Sequence, residues 1–310
     1  MRSASTTTTA VAPAKVNICL RIVGRRADGY HLLDSIFAEI DLVDHITLKV
    51  TPRDRYADAR ISVSCAYPGV PNDATNLAAR AADTLLAECA VGADVHIAIE
   101  KHIPPGGGLG GGSSNAATVL RTLNTVLDLH VPERRLADLA LALGADVPFF
   151  LTGGCARVRG IGERVEPIRG WPGRALVIAV PPIEISTAWA FRAWATGPGR
   201  AGFASAPEEP ARLADGTHLD ASMMRNDLEE AVLSVHPELF AIKQALCEAG
   251  AEAAVMSGSG ASVIGLVPSS ASTDSVGAAF ARRRPEVRVH SARIVSRPDA
   301  SSVDRTPGYA

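Results

Sequence analysis

Aromatic side chains make up only 5% of the 310 residues, and neither sign of charge is in excess, the formal net charge being −2. A nucleic-acid protein would be strongly basic, so that class is excluded. The five cysteines, Cys19, Cys65, Cys89, Cys155 and Cys247, are scattered and form no C-x-x-C. This excludes a disulfide scaffold and points to reduced thiols in a cytoplasmic protein. The eight histidines form no pair at metal-ligand spacing, so any metal ligands are unknown at this stage. No apolar run is long enough to span a bilayer, and no membrane role is expected. Residues 1–10 are rich in Ser and Thr with one arginine and no apolar core. They are expected to be a frayed start and not a signal peptide.

What is present is ordinary core material. Hydrophobic residues make up 47% of the chain, which excludes disorder. The length exceeds the usual size of one core, so two domains are expected, 1–160 and 161–310. A monomer or weak homodimer is the expected state.

The chain centres on Pro104-Pro105-Gly106-Gly107-Gly108-Leu109-Gly110-Gly111-Gly112-Ser113-Ser114-Asn115. Six glycines so close together cannot form the interior of a strand or helix. Val95 to Ile99 before them reads as a strand. Ala116, Val119, Leu120, Leu123, Val126 and Leu127 after them recur at helical spacing. Ser113 and Ser114 are the expected N-caps of that helix. A strand, a glycine loop and a helix start together make an anion site. The run contains G-x-G-x-x-G at Gly106, Gly108 and Gly111. The acidic residue at the right distance, Asp128, is expected inside the helix, where it cannot contact a ribose. A Walker loop needs a lysine after its last glycine, and Ser113 stands there. A flexible linker would not carry Leu109 or lead at once into a helix.

Along the chain, 11–22 reads as a first strand and Asp28-Gly29 as a turn. Further strands are expected at 31–40, 46–50 and 61–66, and a helix at 76–89. After the glycine loop and its helix comes a helix at 136–143. Pro148 cannot continue a helix, so Asp146 is expected on a turn beside the apolar Pro148-Phe149-Phe150 wall. A hairpin is expected within 153–168, a buried strand at 175–180 and a short helix at 186–195. The stretch 196–217 has little periodicity and reads as a mobile loop. Two helices split near Pro237 follow, then the small-residue loop Ser257-Gly258-Ser259-Gly260-Ala261-Ser262. A strand, a helix over 272–283, a strand over 287–294 and a polar, disordered tail complete the order. The class is α+β.

PPGGGLGGGSSNAA closely resembles the P-x-x-x-G-L-G-S-S-A-A phosphate loop of the GHMP kinases, which include galactokinase and homoserine, mevalonate and phosphomevalonate kinases. Four further stretches match the same family in order. They are Ala12-Pro13-Ala14-Lys15-Val16-Asn17, Arg26-Ala27-Asp28-Gly29-Tyr30-His31, Gly144-Ala145-Asp146-Val147-Pro148-Phe149-Phe150 and Ser257-Gly258-Ser259-Gly260-Ala261. The resemblance spans about 12–294. It narrows to the branch that phosphorylates a cytidine-diphosphate sugar alcohol on the way to isoprenoid precursors. It implies a two-domain fold with the active site in the cleft, and ATP and Mg²⁺ as cofactors.

The resemblance also implies roles. Pro104, Pro105, Gly106, Gly107, Gly108, Leu109, Gly110, Gly111, Gly112, Ser113 and Ser114 would cradle ATP, with Ser113 or Ser114 able to reach Mg²⁺. Asp146 would accept or polarise the proton of the substrate hydroxyl, and Lys15 beside it would keep it ionised. From the residues alone, Asp146 reads as a turn-capping aspartate, the commoner use of Asp before Pro, and Lys15 as a solvated lysine at a strand end. Tyr30 would stack on cytosine, and neutral His31 would read the base edge. Asn17 would hold the sugar alcohol or the diphosphate. Thr187 and Phe191 would close the far side of the cytidine pocket. The 257–262 loop would form a second polar wall near the phosphates. Three rivals stand beside this reading: another GHMP kinase with a smaller alcohol substrate such as homoserine or mevalonate, a dinucleotide oxidoreductase, and a nucleotide-binding regulator without turnover.

Overall fold

The computed structural model describes residues 5–171, 173–197, 203, 208–214, 219 and 221–295. The expected tail from 296 lies outside the described residues. The elements run β1 (Thr6–Arg25), β2 (His31–Arg53), β3 (Arg60–Cys65), α1 (Leu77–Glu88), β4 (Gly92–Glu100) and α2 (Gly111–Val126). Next come α3 (Glu133–Leu143), α4 (Val147–Thr152), β5 (Cys155–Gly160), β6 (Arg164–Ile168), β7 (Ala175–Val180), α5 (Thr187–Thr196) and α6 (Glu208–Ala214). The chain then forms β8 (Arg225–Asn226), α7 (Glu229–Val235), α8 (Pro237–Glu248), β9 (Ala253–Met256), β10 (Val263–Leu266), α9 (Thr273–Arg283) and β11 (Arg288–Arg293).

Two sheets result. The first has the path β3-β4-β2-β1-β8, with β5 also on β2 and β6 on β5. It is mostly antiparallel; β3 with β4 and β1 with β8 are its parallel pairs. The second is fully antiparallel in the order β11-β7-β10-β9. Helices α1 to α4 cover the first sheet. There Leu120 and Leu123 of α2 share a buried core with Ile46, Leu48 and Ile97. Truncating either leucine to alanine would cost about 2–5 kcal/mol. Helices α5, α7, α8 and α9 cover one face of the second sheet around Trp194, Ile242, Leu246 and Phe280. A third apolar cluster joins the sheets through Val16, Ile18 and Ile36 on one side and Leu176, Ile178 and Ile264 on the other.

The sequence reading is corrected at five places. The start is strand and not frayed, because Thr6 to Thr9 pair with Val50 to Thr47, and β-branched threonine suits a pleated surface. The strands expected at 31–40 and 46–50 are one 23-residue strand. Its neighbour absorbs the change of register at a bulge between Pro13 and Ala14. The loop expected at 196–217 contains α6, whose Glu209 meets Arg21 of β1 at 2.5 Å; much of the rest of it lies outside the described residues. Asp128 is not helical: it follows α2 with a φ of 53°. Pro148 opens α4 near its first position, where its missing N–H costs nothing.

Candidate active site

The glycine loop runs from the end of β4 into α2. Asp44, fully buried in β2, anchors its start by accepting from the N–H groups of His102 (2.8 Å) and Ile103 (2.9 Å) and pairing with Lys101 Nζ at 2.5 Å. Gly106, Gly108 and Gly110 have φ of 71°, 73° and 70°, where a side chain is strained. Gly108 is also pressed against the 257–262 loop, since a Cβ there would lie 2.2 Å from the Ser257 carbonyl oxygen. The helix starts earlier than expected. Gly110, and not Ser113 or Ser114, is the N-cap, and Ser114 N–H already bonds the Gly110 carbonyl at 2.9 Å. The glycines permit this because Gly110 supplies the left-handed entry. The first-turn N–H groups of Gly111, Gly112 and Ser113 therefore open onto a cavity of about 350 Å³. That cavity is lined by all of residues 104–113 together with Val70, Asn76, Lys101 and Asn115. Ser114 is fully buried and does not line it.

A second cavity, of about 250 Å³, shares Gly106, Gly108 and Gly110 with the first. Lys15 and Asn17 of β1 project into it. Lys15 Nζ lies 3.3 Å from Asp146 Oδ2, donates to Asn17 Oδ1 at 2.6 Å and sits 4.6 Å from the centre of the Phe37 ring. The lysine side chain is 4% exposed and the aspartate 36%. Asp146 occupies the N-cap position of α4, yet its carboxylate makes no capping bond. The charge is turned to Lys15 and the cavity. Asn17 is itself fixed, donating through Nδ2 to Ser35 Oγ at 3.2 Å and through its backbone N–H to Ser257 Oγ at 3.2 Å. Ser257 Oγ in turn donates to the Gly108 carbonyl at 3.1 Å. One hydroxyl thus joins the glycine loop, the 257–262 loop and the strand carrying Lys15.

The far wall of this cavity is α5, with Thr187 and Phe191 one turn apart. Thr187 Oγ1 and Ser259 Oγ share a hydrogen bond at 2.9 Å. His31 stacks on Phe191 with ring centres 5.3 Å apart and planes 18° apart, and meets Trp194 edge-on at 5.5 Å. Its Nε2 is buried without a hydrogen-bond partner. Burial, with Arg25 nearby, holds its pKa below the ordinary histidine value, so the ring is neutral near pH 7. Tyr30 is not brought to this cluster: it is 62% exposed beyond the turn. His102, beside the glycine loop, is exposed and pairs with Glu100 at 3.1 Å.

Several lining residues escape a reading of the sequence. Val70 and Asn76 precede the glycine loop by some thirty residues without a recognisable spacing. Phe37 and Leu33 are strand residues like any other apolar alternation. Asn226 and Leu228 come from a short segment with no periodic signal. Asn226 donates to the carbonyls of Met256 (2.8 Å) and Gly258 (2.7 Å), and Leu228 lines the cavity.

These features define a class. The models of the GHMP kinases N terminal domain and GHMP kinases C terminal match residues 76–154 and 208–286. A homoserine kinase from Cytophaga hutchinsonii shares the fold, with a TM-score of 0.70 at 20% identity over 96% of each chain. Nearer likenesses are more specific. A solved 4-(cytidine 5'-diphospho)-2C-methyl-D-erythritol kinase superposes with a TM-score of 0.74 at 34% identity, covering 94% of this chain and 100% of that one. The 4-diphosphocytidyl-2-C-methyl-D-erythritol kinase of Gloeobacter violaceus is 39% identical over 275 residues, 87% of this chain and 89% of that protein. The kinase of the same name from Geobacter metallireducens is 42% identical over 258 residues, 83% of this chain and 88% of its own. The chain belongs to the 4-diphosphocytidyl-2-C-methyl-D-erythritol kinase family of the GHMP kinases.

Proposed function

We propose that the enzyme transfers the γ-phosphoryl group of ATP to the 2-hydroxyl of 4-diphosphocytidyl-2-C-methyl-D-erythritol, on the non-mevalonate route to isoprenoid precursors. The observation that carries this reading is the pair of cavities meeting at Gly106, Gly108 and Gly110. A nucleotide whose phosphates rest on the α2 N–H groups points its terminal phosphoryl at Lys15 and Asp146. Residues 104–113 hold the phosphates through backbone donors and the helix dipole. Asp146 orients the acceptor hydroxyl and takes its proton. Lys15, paired with Asp146 at 3.3 Å, meets the charge that spreads over the transferred group. Asn17 fixes the ammonium of Lys15 and faces the sugar alcohol. His31 offers Nε2 to the cytosine edge, Phe191 packs on the base, and Tyr30 covers it from outside.

The donor set suits a magnesium ion that arrives with the nucleotide. Among the described residues no three His, Cys, Asp or Glu groups gather as a dedicated cage, and Mg²⁺ commonly uses one or two protein oxygens plus phosphates. Asp146, among the described residues the one acid lining the two cavities, and Ser113 would hold it. When bound it draws charge from the β- and γ-phosphates. Two units meet at the cleft; the boundary expected at 160/161 falls between β5 and β6, which pair in the first sheet, so we set it past that hairpin, between Ile168 and Ala175. Among the described residues no helix is long and apolar enough to cross a membrane. The five cysteines are free thiols, which suits the cytoplasm, where we place the enzyme.

The test is a substrate panel. ATP is supplied with the cytidine-diphosphate methylerythritol, mevalonate, homoserine or galactose, and ADP release is measured. Release with the first alone is the expected result. Preferential turnover of another alcohol overturns the substrate assignment.

A further inference from the structure

The carboxylate of Asp146 makes no capping bond to α4, so its place depends on the backbone that carries it. That backbone is a turn, closed by the Val147 N–H donating to the Gly144 carbonyl at 3.1 Å. Ala145 and Asp146 form its corner. Asp146 has φ −86° and ψ −14°, the values of the third residue of a type I turn. The Ala145 carbonyl lies against Gly162, in the turn between β5 and β6. A Cβ on Gly162 would stand 2.2 Å from that oxygen and 2.9 Å from the carbonyl carbon. No side chain fits there, and the φ of 126° at Gly162 is one that L residues rarely adopt.

The hairpin turn is itself braced. Glu163 folds its carboxylate back over Gly160, into space that a Cβ there would fill, and accepts from the Ile161 N–H at 2.6 Å. Gly160 stands opposite Leu33 of β2. The other end of α4 is tied to the same strand. The Glu39 carboxylate accepts from the Gly154 N–H, and the Glu39 N–H donates to the Gly154 carbonyl at 2.8 Å. Glu39 is the residue directly opposite Lys15 in the sheet. Both ends of α4 are thus referred to β2, whose neighbour β1 carries Lys15.

We infer that Gly162 is a positioning residue for phosphoryl transfer. Its bare α-carbon seats the Ala145 carbonyl, fixes the plane of the Ala145–Asp146 peptide and so sets the 3.3 Å approach of Asp146 to Lys15. Turning that peptide over would make a type II turn, which needs a positive φ at Asp146. The inference rests on the role given to Asp146 above and extends it to a residue that lines neither cavity.

The test is steady-state kinetics in a double-variant cycle. Gly162→Ala pushes the Ala145 carbonyl aside and should lower kcat about tenfold to 10²-fold, with KM for ATP and acceptor nearly unchanged, since a shift of about 1 Å costs on that scale. In the Asp146→Asn background it should cost little more, because the group it positions is already gone. Gly170→Ala is the control for backbone strain. Gly170, beyond the far end of β6, has a φ of 70° and nothing within 4 Å of its Cβ position. This change should lower the melting temperature and leave kcat unchanged. Glu163→Ala loosens the turn without a clash and should lower kcat by a smaller factor, with the same dependence on Asp146; it decides the matter where Gly162→Ala does not fold. Full kcat in the deciding variant overturns the positioning role. So do equal losses with and without the Asp146 carboxylate, or a kcat loss in Gly170→Ala as large as in Gly162→Ala. Full kcat in Asp146→Asn itself instead overturns the reading of Asp146 on which the inference rests.

Discussion

The two cavities share three glycines and are built by opposite means. The nucleotide cavity comes largely from one run, residues 104–113, and presents mainly backbone. The acceptor cavity draws on β1, β2, the start of α4, α5, the segment after β8 and the 257–262 loop, and presents mainly side chains. Its charge is a lysine held by Asp146, Asn17 and Phe37. A backbone-made site depends on which glycines can accept a Cβ. A side-chain-made site depends on each partner's charge. Substitutions can therefore separate binding of ATP from transfer of its phosphoryl group.

The largest effect is expected on the side-chain half. Asp146→Asn keeps shape and removes the charge facing Lys15. Turnover should fall roughly 10²–10⁴-fold, the usual contribution of a positioned acid or base. Equilibrium binding of ATP and of acceptor should change little. Lys15→Met should do comparable damage. The double variant should cost less than the product of the singles, because the two groups are one unit at 3.3 Å. Near-normal turnover in Asp146→Asn would assign that carboxylate a purely structural place.

The backbone half is tested next, and the choice of glycine decides what is learned. At Gly110 a Cβ would lie 2.8 Å from Phe150 and 3.0 Å from Lys15, on a backbone with φ of 70°. Gly110→Val therefore disturbs the acceptor half and the fold as well as ATP. Gly108→Ala should be worse for folding, given the 2.2 Å approach to the Ser257 carbonyl. Gly112 lies in the first turn of α2 with nothing within 4 Å of its Cβ position and no positive φ. Gly112→Val should leave the melting temperature within a few degrees and raise the KM for ATP about tenfold or more, the cost of losing roughly one charge-assisted hydrogen bond. Unchanged ATP affinity in that folded variant would remove the α2 N-terminus from the nucleotide site.

The same contrast explains how much was legible in the sequence. The nucleotide cavity follows from local rules, since glycines, a strand before and a helix after are all neighbours in the chain. Even there the helix start was misplaced by three residues, because Gly110 supplies a left-handed entry that serine capping rules do not anticipate. Lys15, Asp146, Thr187 and Phe191 were legible only through likeness to a family. No spacing in the chain announces that Lys15 and Asp146 come within 3.3 Å. Asn226 was not legible as a site residue at all, and Ser257 was legible only as part of the polar wall that the family likeness implies for 257–262. Their meaning lies in bonds that cross 30 to 240 residues, which only the packed sheets reveal.

A smaller effect distinguishes the two aromatic groups at the base end. Phe191 already stacks on His31, whereas Tyr30 is 62% exposed. Stacking a base on a ring is worth roughly 1–3 kcal/mol in single-stranded nucleic-acid sites. Phe191→Ala should raise the acceptor KM about tenfold with kcat nearly unchanged, since base binding is remote from the transferred group. Tyr30→Ala should raise it about threefold, because an exposed ring must first be ordered over the base. Equal effects would mean that Tyr30 closes fully on the bound substrate.

The smallest effect is a pH dependence, and its sign follows from His31. Burial first and Arg25 second lower its pKa in the folded protein. The unfolded chain keeps the ordinary value of about 6.5. Between the two values the unfolded state binds the extra proton, so stability rises with pH across that window. The contribution of a neutral His31 is complete above about pH 6.5 and is lost as pH falls through the lowered folded value. Binding should follow the same course. A neutral ring can donate from one nitrogen and accept at the other, while the protonated ring can only donate. The preference for cytidine- over uridine-linked acceptor should thus be flat above about pH 6.5 and decline only as pH falls through the lowered folded value. His31→Ala should show the lower preference at every pH, because a polar edge discriminates by what it leaves unpaired. The check is the ratio of kcat/KM for the two acceptors from pH 5 to 8, in wild type and in His31→Ala. A wild-type ratio that declines on acidification while that of His31→Ala stays level ties the effect to this ring. Parallel declines in both proteins would place the titrating group elsewhere and leave His31 as packing for Phe191.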